Sequence, residues 1–183
     1  MKEIELFSGE KIIIRKLENN DGWKLSEYYA NLTEDSRKRY APHSFDLEST
    51  TQICNENNSS YFRLIAENEE RTKIIAYTVV KQGFVEYDVP RYQKYNWNFE
   101  SHHNFTYAPS VADEYHSKGL GSKMLQEVFS FIEKYEKSCL ILWGGVQSTN
   151  IKAVNFYLKH GFQKIGEFEH NGNNFDMFRI HSK

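Results

Sequence analysis

Three consecutive isoleucines, Ile12 to Ile14, stand between charged residues, and a run that short and β-branched predicts a strand over residues 11–17. The apolar spacing then changes: Trp23, Leu25, Tyr28 and Tyr29 recur at helical intervals, so a helix capped by Asn20 or Asp21 is expected to run to about residue 32. Thr33 can cap a short second helix over 34–40, with acids in its first turn and Arg37-Lys38-Arg39 in its last. Residues 47–55 read as a further helical piece, and 61–67 and 73–81 as two strands joined by the polar turn Asn68-Glu69-Glu70-Arg71. Residues 84–103 keep no period and are expected to be an insertion or a long loop. Pro109 interrupts the strand over 105–111 and cannot donate to a ladder, which predicts a bulge or a local splay.

The clearest helix covers 119–137, where Leu120, Met124, Val128, Ile132 and Tyr135 return to one face. An apolar strand over 139–143 ends at Gly144-Gly145, and a helix over 150–160 is closed by Gly161. A hairpin of 162–170 and 175–181 turns at Asn171-Gly172. Strands therefore come in antiparallel-looking pairs at both ends, while the strand–helix–strand–helix run between them can supply a parallel crossover. The expectation is one mixed α/β domain spanning 1–183.

Composition narrows the class. With 183 residues, 39% hydrophobic and 26% charged, the chain suits one globular domain rather than a disordered segment. A net charge of −2 argues against a general nucleic-acid binder, and residues 91–183 are only mildly positive, with 11 Lys/Arg against 9 Asp/Glu. No apolar run reaches the length of a bilayer span, and the start of the chain lacks the apolar stretch of a signal peptide. Cys54 and Cys139 are the only cysteines, too few for a disulfide framework, so a reduced cytoplasmic setting is expected. His102-His103 is too little for a metal site, and no metal is implied. The 13 Phe, 12 Tyr and 3 Trp are unusual, and 8 of them fall within residues 84–107. A pocket wall, a homodimer contact or a second small core would each explain that surplus.

Two segments carry candidate chemistry. Residues 111–121 run from a strand into the N-terminus of the long helix, where backbone N–H groups lack helical partners. Gly119 and Gly121 let a phosphate approach that backbone, and Lys118 adds a cation beside it. A plain helix start with two permissive glycines fits as well. The third glycine of a dinucleotide fingerprint and the Gly-Lys-Ser/Thr of a nucleotide phosphate loop are both missing. In the second segment Asn150 and Tyr157, seven residues apart, lie on one helical stripe about 10 Å apart with Ala153 between them. They could line a slender ligand, or be an N-cap and a core aromatic.

Together, Val-x-Asp-Glu-Tyr-His-x-x-Gly-Leu-Gly over 111–121 and Asn-x-x-Ala-x-x-Phe-Tyr-x-Lys-x-Gly-Phe over 150–162 resemble the GNAT superfamily of acyl-CoA-dependent N-acyltransferases. One departure is His116, where that first motif usually opens with Gln or Arg. The resemblance implies a mostly antiparallel sheet whose central parallel pair splays around acetyl-CoA, with helices on both faces. It also implies that backbone at Val111 pairs with the pantetheine amides, and that the N–H groups of His116, Ser117, Lys118, Gly119, Leu120 and Gly121 hold the pyrophosphate. Asn150 would bond the pantetheine arm, and Tyr157 would protonate the departing thiolate as general acid.

The acceptor is expected to be a small-molecule or peptide amine, not nucleic acid or membrane. Glu114, Glu86, Asp88, Glu100 and His43 are the weighed candidates for the base, each more simply a surface or structural residue. A non-catalytic acyl-CoA sensor and a plain protein-interaction domain remain as alternatives.

Overall fold

The computed structural model describes residues 1–40, 42–95 and 103–182. Among them nine strands and six α-helices follow one another along the chain. They gather into two compact units, one of Met1–Val79 with Ala108–Val128, the other of Val80–Tyr107 with Phe129–Lys183.

The first unit holds β1 (Lys2–Glu5), β2 (Lys11–Lys16), α1 (Gly22–Asn31), α2 (Glu34–Arg39), α3 (Leu47–Asn55) and β3 (Tyr61–Asn68). It also holds most of β4 (Ile74–Gln82), the end of β5 (His103–Val111) and the start of α5 (Leu120–Ile132). Its strands are ordered β1-β2-β3-β4-β5, with Ile4 opposite Ile12 and Ile14 opposite Ala66 in antiparallel register. Ile12, Ile13 and Ile14 are all buried, so β2 is covered on both faces and shows no alternation. The edge strand β1 escapes a periodicity reading because Ile4 is its one apolar residue among exposed charges, a common way to protect an edge.

Asp21 sits at the N-cap of α1, as expected, but its side chain does not cap. It accepts from both Arg15 Nη atoms at 2.6 and 2.7 Å and from the Glu18 N–H at 2.8 Å. Arg15 Nε donates to Glu67 at 2.8 Å, and Lys24 donates to the other Glu67 oxygen at 2.9 Å. This buried network fastens β2, α1 and β3. Thr33 caps α2 as expected, accepting from the Ser36 N–H, and α3 is capped by Asp46, which accepts from the Ser49 N–H.

The second unit holds the start of β5, the short α4 (Val89–Tyr92), β6 (Lys137–Leu142), β7 (Val146–Gln147), α6 (Ile151–Lys159), β8 (Gln163–Glu169) and β9 (Asn173–Ser182). β5 and β6 form the one parallel pair among the described registers, Phe105 opposite Leu140, and β6 pairs antiparallel with β9. β8 and β9 turn at Asn171 and Gly172, both at positive φ, as the Asn-Gly dipeptide predicts. The mixed, mostly antiparallel sheet is thus as expected. Cys139 is an inert core thiol, its pKa pushed up to about 12 by burial.

Two expectations change. α5 stops at Ile132 rather than 137, because Lys137 already begins β6. Tyr135 is still packed, but against His103 and Phe105 at 4.9 and 5.0 Å between ring centroids. The segment expected as an insertion or long loop contains α4, and of the explanations open for its aromatics a second small core describes Phe84, Tyr92 and Tyr95, whereas Tyr87 is exposed. Tyr92 is buried with Cys139, Ile141 and Phe178, and the Tyr95 ring lies against Gly166 while its hydroxyl donates to Asp176. Trp97, Phe99, Glu100 and His102 lie outside the described residues.

Candidate functional site

In the first unit, β5 ends at Val111 and the chain makes a short 3-10 turn, Asp113–Tyr115, before α5 begins at Leu120. Two residues of the connecting loop adopt left-handed backbone, Ser117 at φ 63 and Gly119 at φ 89. A non-glycine residue held there is strained, the kind of feature concentrated at binding loops. His116 and Ser117 are exposed, Lys118, Gly119 and Gly121 half-buried, and Leu120 is anchored in the core. By helix geometry the first N–H groups of α5 have no intrahelical carbonyl. The His116 N–H is already used, donating to the Asp113 carbonyl at 3.2 Å, and its ring Nε2 closes onto the Val111 carbonyl at 3.0 Å.

Neighbouring elements hold this loop in place. The Asp113 carboxylate accepts from the Thr33 N–H, the Thr33 hydroxyl and the Ser36 hydroxyl. Burial alone would raise the Asp113 pKa, yet these bonds hold it below the ordinary carboxylate value. Lys118 lies 3.8 Å from Glu10 and 4.6 Å from the centroid of the Tyr115 ring, so its ammonium stays over the loop. A Cβ on Gly119 would meet the Phe7 ring at 2.7 Å. None of these supports is signalled by the loop's own sequence. The nearest hint is that Thr33, read as a cap, has a second use.

In the second unit the β5–β6 register ends with Tyr107 opposite Leu142, and the Trp143 N–H adds a last bond to the Tyr107 carbonyl at 2.9 Å. Gly144 and Gly145, at φ 65 and 69, then turn the chain away from the strand direction, and Gly144 N–H donates to Asp88. The parallel ladder therefore stops two residues before Pro109, where a splay was expected. Asp88, weighed as a base, is spent on Gly144, Tyr92 and Arg91.

Asn150 is the N-cap of α6, its Oδ1 accepting from the Ala153 N–H at 3.2 Å. This leaves its amide nitrogen as the group that can donate to a ligand. Tyr157 is buried against Phe156 and Phe162, and burial pushes its hydroxyl pKa above that of free tyrosine. The Tyr107 hydroxyl is buried and without a hydrogen-bond partner; burial, then the nearby Tyr157, raises its pKa too. These phenols stay protonated at neutral pH, so each can donate a hydrogen bond or a proton. Among the described residues, no three His, Cys, Asp or Glu gather as a metal site.

Sequence reading left one cluster unnoticed. In the first unit Tyr28 Oη lies 2.7 Å from Ser110 Oγ, and the Tyr40 hydroxyl donates to the Ala108 carbonyl at 3.4 Å. Tyr29, Phe45, Tyr77 and His43 pack behind them. Tyr28 and Tyr29 appear in the sequence only as apolar positions of a helix, which conceals that both hydroxyls are used.

A family model described as "Acetyltransferase (GNAT) family" matches residues 25–162. A spermine/spermidine N(1)-acetyltransferase of Bacillus subtilis is 34% identical over 62 residues, a segment covering 34% of this chain and 40% of that relative. The chain thus spans less than half the length of this curated relative. Among solved structures, the GNAT domain of S. lividans PAT superposes with a TM-score of 0.74 at 14% identity, covering 98% of this chain and 96% of that one. A ribosomal-protein-S5-alanine acetyltransferase from Vibrio fischeri gives 0.70 at 16%, covering 98% and 97%. At such identities the structural likeness shows the fold.

Proposed function

The chain belongs to the GNAT acetyltransferase family, and from that premise we propose that it transfers the acetyl group of acetyl-CoA to a primary amine by direct attack in a ternary complex. The observation that carries this reading is the loop entering α5, with Ser117 and Gly119 in left-handed backbone ahead of a fresh helix N-terminus. Such a turn suits a pyrophosphate, because successive N–H groups point at one anion and the helix dipole favours its charge. Ser117, Lys118, Gly119, Leu120 and Gly121 supply that cradle. His116 supports it from the side, since its N–H and ring are engaged within the loop. Val111 offers a strand edge to the pantetheine amides, and the Asn150 amide nitrogen offers a donor to the same arm.

In the reaction the acceptor nitrogen forms a bond to the thioester carbonyl carbon as the carbon–sulfur bond breaks. Backbone N–H groups near Val111 favour the negative charge that develops on the carbonyl oxygen. The sulfur leaves as a thiolate, and the Tyr157 hydroxyl donates the proton that makes it a thiol. Burial raises the pKa of this phenol, so it enters the reaction in its protonated form.

A small amine fits the acceptor side, and spermidine is the first acceptor to try, since the Bacillus subtilis relative is named for it. The two free cysteines, both buried, suit a reducing, cytoplasmic setting. The test is thiol release from acetyl-CoA with spermidine, other alkylamines and an alanyl peptide. Release with at least one amine, matched by an acetylated product, is the expected result. Tight acetyl-CoA binding without release to any amine would instead make the chain an acyl-CoA sensor.

A further inference from the structure

The proton that an alkylammonium acceptor must lose before it can attack has no receiver in the scheme above. Free amines of this kind have a pKa of about 10.4, so nearly all of the acceptor arrives protonated at neutral pH. We propose that His43 receives that proton, within an aromatic enclosure formed by Tyr29, Tyr40, Phe45 and Tyr77 that admits the ammonium head of a primary alkylamine. The inference rests on the N-acetyltransferase reading and adds to it a residue and an acceptor subsite.

The enclosure lies wholly in the first unit. Tyr29, Phe45 and Tyr77 meet the His43 ring edge-on, with centroids 5.5, 6.2 and 5.7 Å away. Tyr29 stacks on Phe45 at 4.2 Å and on Tyr40 at 6.2 Å. Tyr40 reaches the Ala108 carbonyl, and Tyr28 reaches Ser110, so these rings are tied to the stretch of β5 that continues past its ladder with β6. Tyr29 and Tyr77 are fully buried, whereas Tyr40, His43 and Phe45 are half-buried and form the accessible side. Aromatic faces attract an ammonium without neutralising it, so they can position the cation while leaving its proton available.

His43 is set up as a base. Its Nδ1–H donates to the Ser44 carbonyl at 2.8 Å, which fixes the tautomer and leaves the lone pair on Nε2. In the resting protein that lone pair meets the Tyr29 hydroxyl across a long 3.3 Å, a weak claim that an ammonium N–H can displace. The titratable groups facing the imidazole are the phenols of Tyr29 on α1 and Tyr77 on β4, together with Arg63 on β3, which is paired with Glu56 at 2.6 Å. Burial first, with Arg63 as a later contribution, holds the His43 pKa below the ordinary histidine value despite the Ser44 bond. The imidazole is therefore neutral at pH 7. The ammonium passes one proton to Nε2, the free amine forms the carbon–nitrogen bond, its second proton goes to the thiolate through Tyr157, and His43 returns its proton to solvent.

The experiment measures kcat/KM for the best amine of the panel between pH 5 and 9.5 in the full chain and in His43→Gln, with acetyl-CoA affinity measured by calorimetry on both. The wild-type profile should show an acid limb with its midpoint below about 6.5. His43→Gln should lose that limb and about 10²-fold in kcat/KM at pH 7, recover as pH approaches the amine's own pKa, and bind acetyl-CoA as before. An unchanged profile, or loss of acetyl-CoA affinity together with turnover, would overturn the role. A wild-type chain that binds acetyl-CoA but acetylates nothing overturns it as well, while leaving the cofactor site standing. A wild-type chain that binds no acetyl-CoA fails the N-acetyltransferase reading itself.

Discussion

Asp21 is 1% exposed yet stays ionised. Burial alone would raise its pKa, but the two Arg15 hydrogen bonds and the Glu18 N–H outweigh it and hold the carboxyl below the ordinary value. A depressed folded pKa means this group's contribution to stability is complete above the unfolded value of about 3.9 and is lost as pH falls through the folded one. Urea titrations should therefore show stability flat above pH 5 and falling below about pH 4. Asp21→Asn should flatten part of that slope and cost about 3–5 kcal/mol at pH 7, since it leaves Arg15 short of a partner. For the proposed general acid, Tyr157→Phe should lower kcat about 10²-fold and leave acetyl-CoA affinity nearly unchanged; stopped-flow thiol release and calorimetry separate the two. Single residues were unevenly legible in the sequence. Asn150 could be read as a cap because capping is local, whereas Asp21 was misread because its partner Arg15 is recruited through the fold.

Elements were legible where a period or a punctuating residue marks them. The Ile12-Ile13-Ile14 strand, the Thr33-capped helix α2 and the Asn171-Gly172 hairpin all follow from such signals. β1, β7 and α4 did not announce themselves, being four residues or fewer and formed only because a neighbouring strand or core receives them. The end of α5 is obscured for a related reason: Tyr135 keeps the helical spacing, although it packs half-buried against His103 and Phe105 from beyond the helix. Two predictions belong to this scale. Asp46→Ala removes the bond to the Ser49 N–H at 2.8 Å and should cost about 1 kcal/mol in chemical denaturation. Gly119→Ala meets only the exposed Phe7 ring, which can rotate away, so its cost comes from the φ of 89 and should be about 1–2 kcal/mol. The same substitution tilts the cradle N–H groups and should weaken acetyl-CoA binding more than it weakens the fold.

For the molecule as a whole, composition identified a folded domain with too many aromatic residues and said nothing about their use. The structure divides them by task. Tyr92 and Tyr95 build the core of the second unit, and in the first Tyr29, Phe45 and Tyr77 meet His43 while Tyr40 stacks on Tyr29. No helix among the described residues is long and apolar enough to cross a membrane. The family was legible because its two motifs sit at loop and helix positions where backbone conformation dictates residue type. The proposed acceptor side was not, because rings gathered from α1, the segment after α2 and β4 share no sequence pattern. The reading as a whole stands on acetyl-CoA, and calorimetric titration of acetyl-CoA into the full chain tests it most directly. One equivalent should bind with a dissociation constant between about 1 µM and 1 mM, and no heat of binding at millimolar acetyl-CoA would contradict the account.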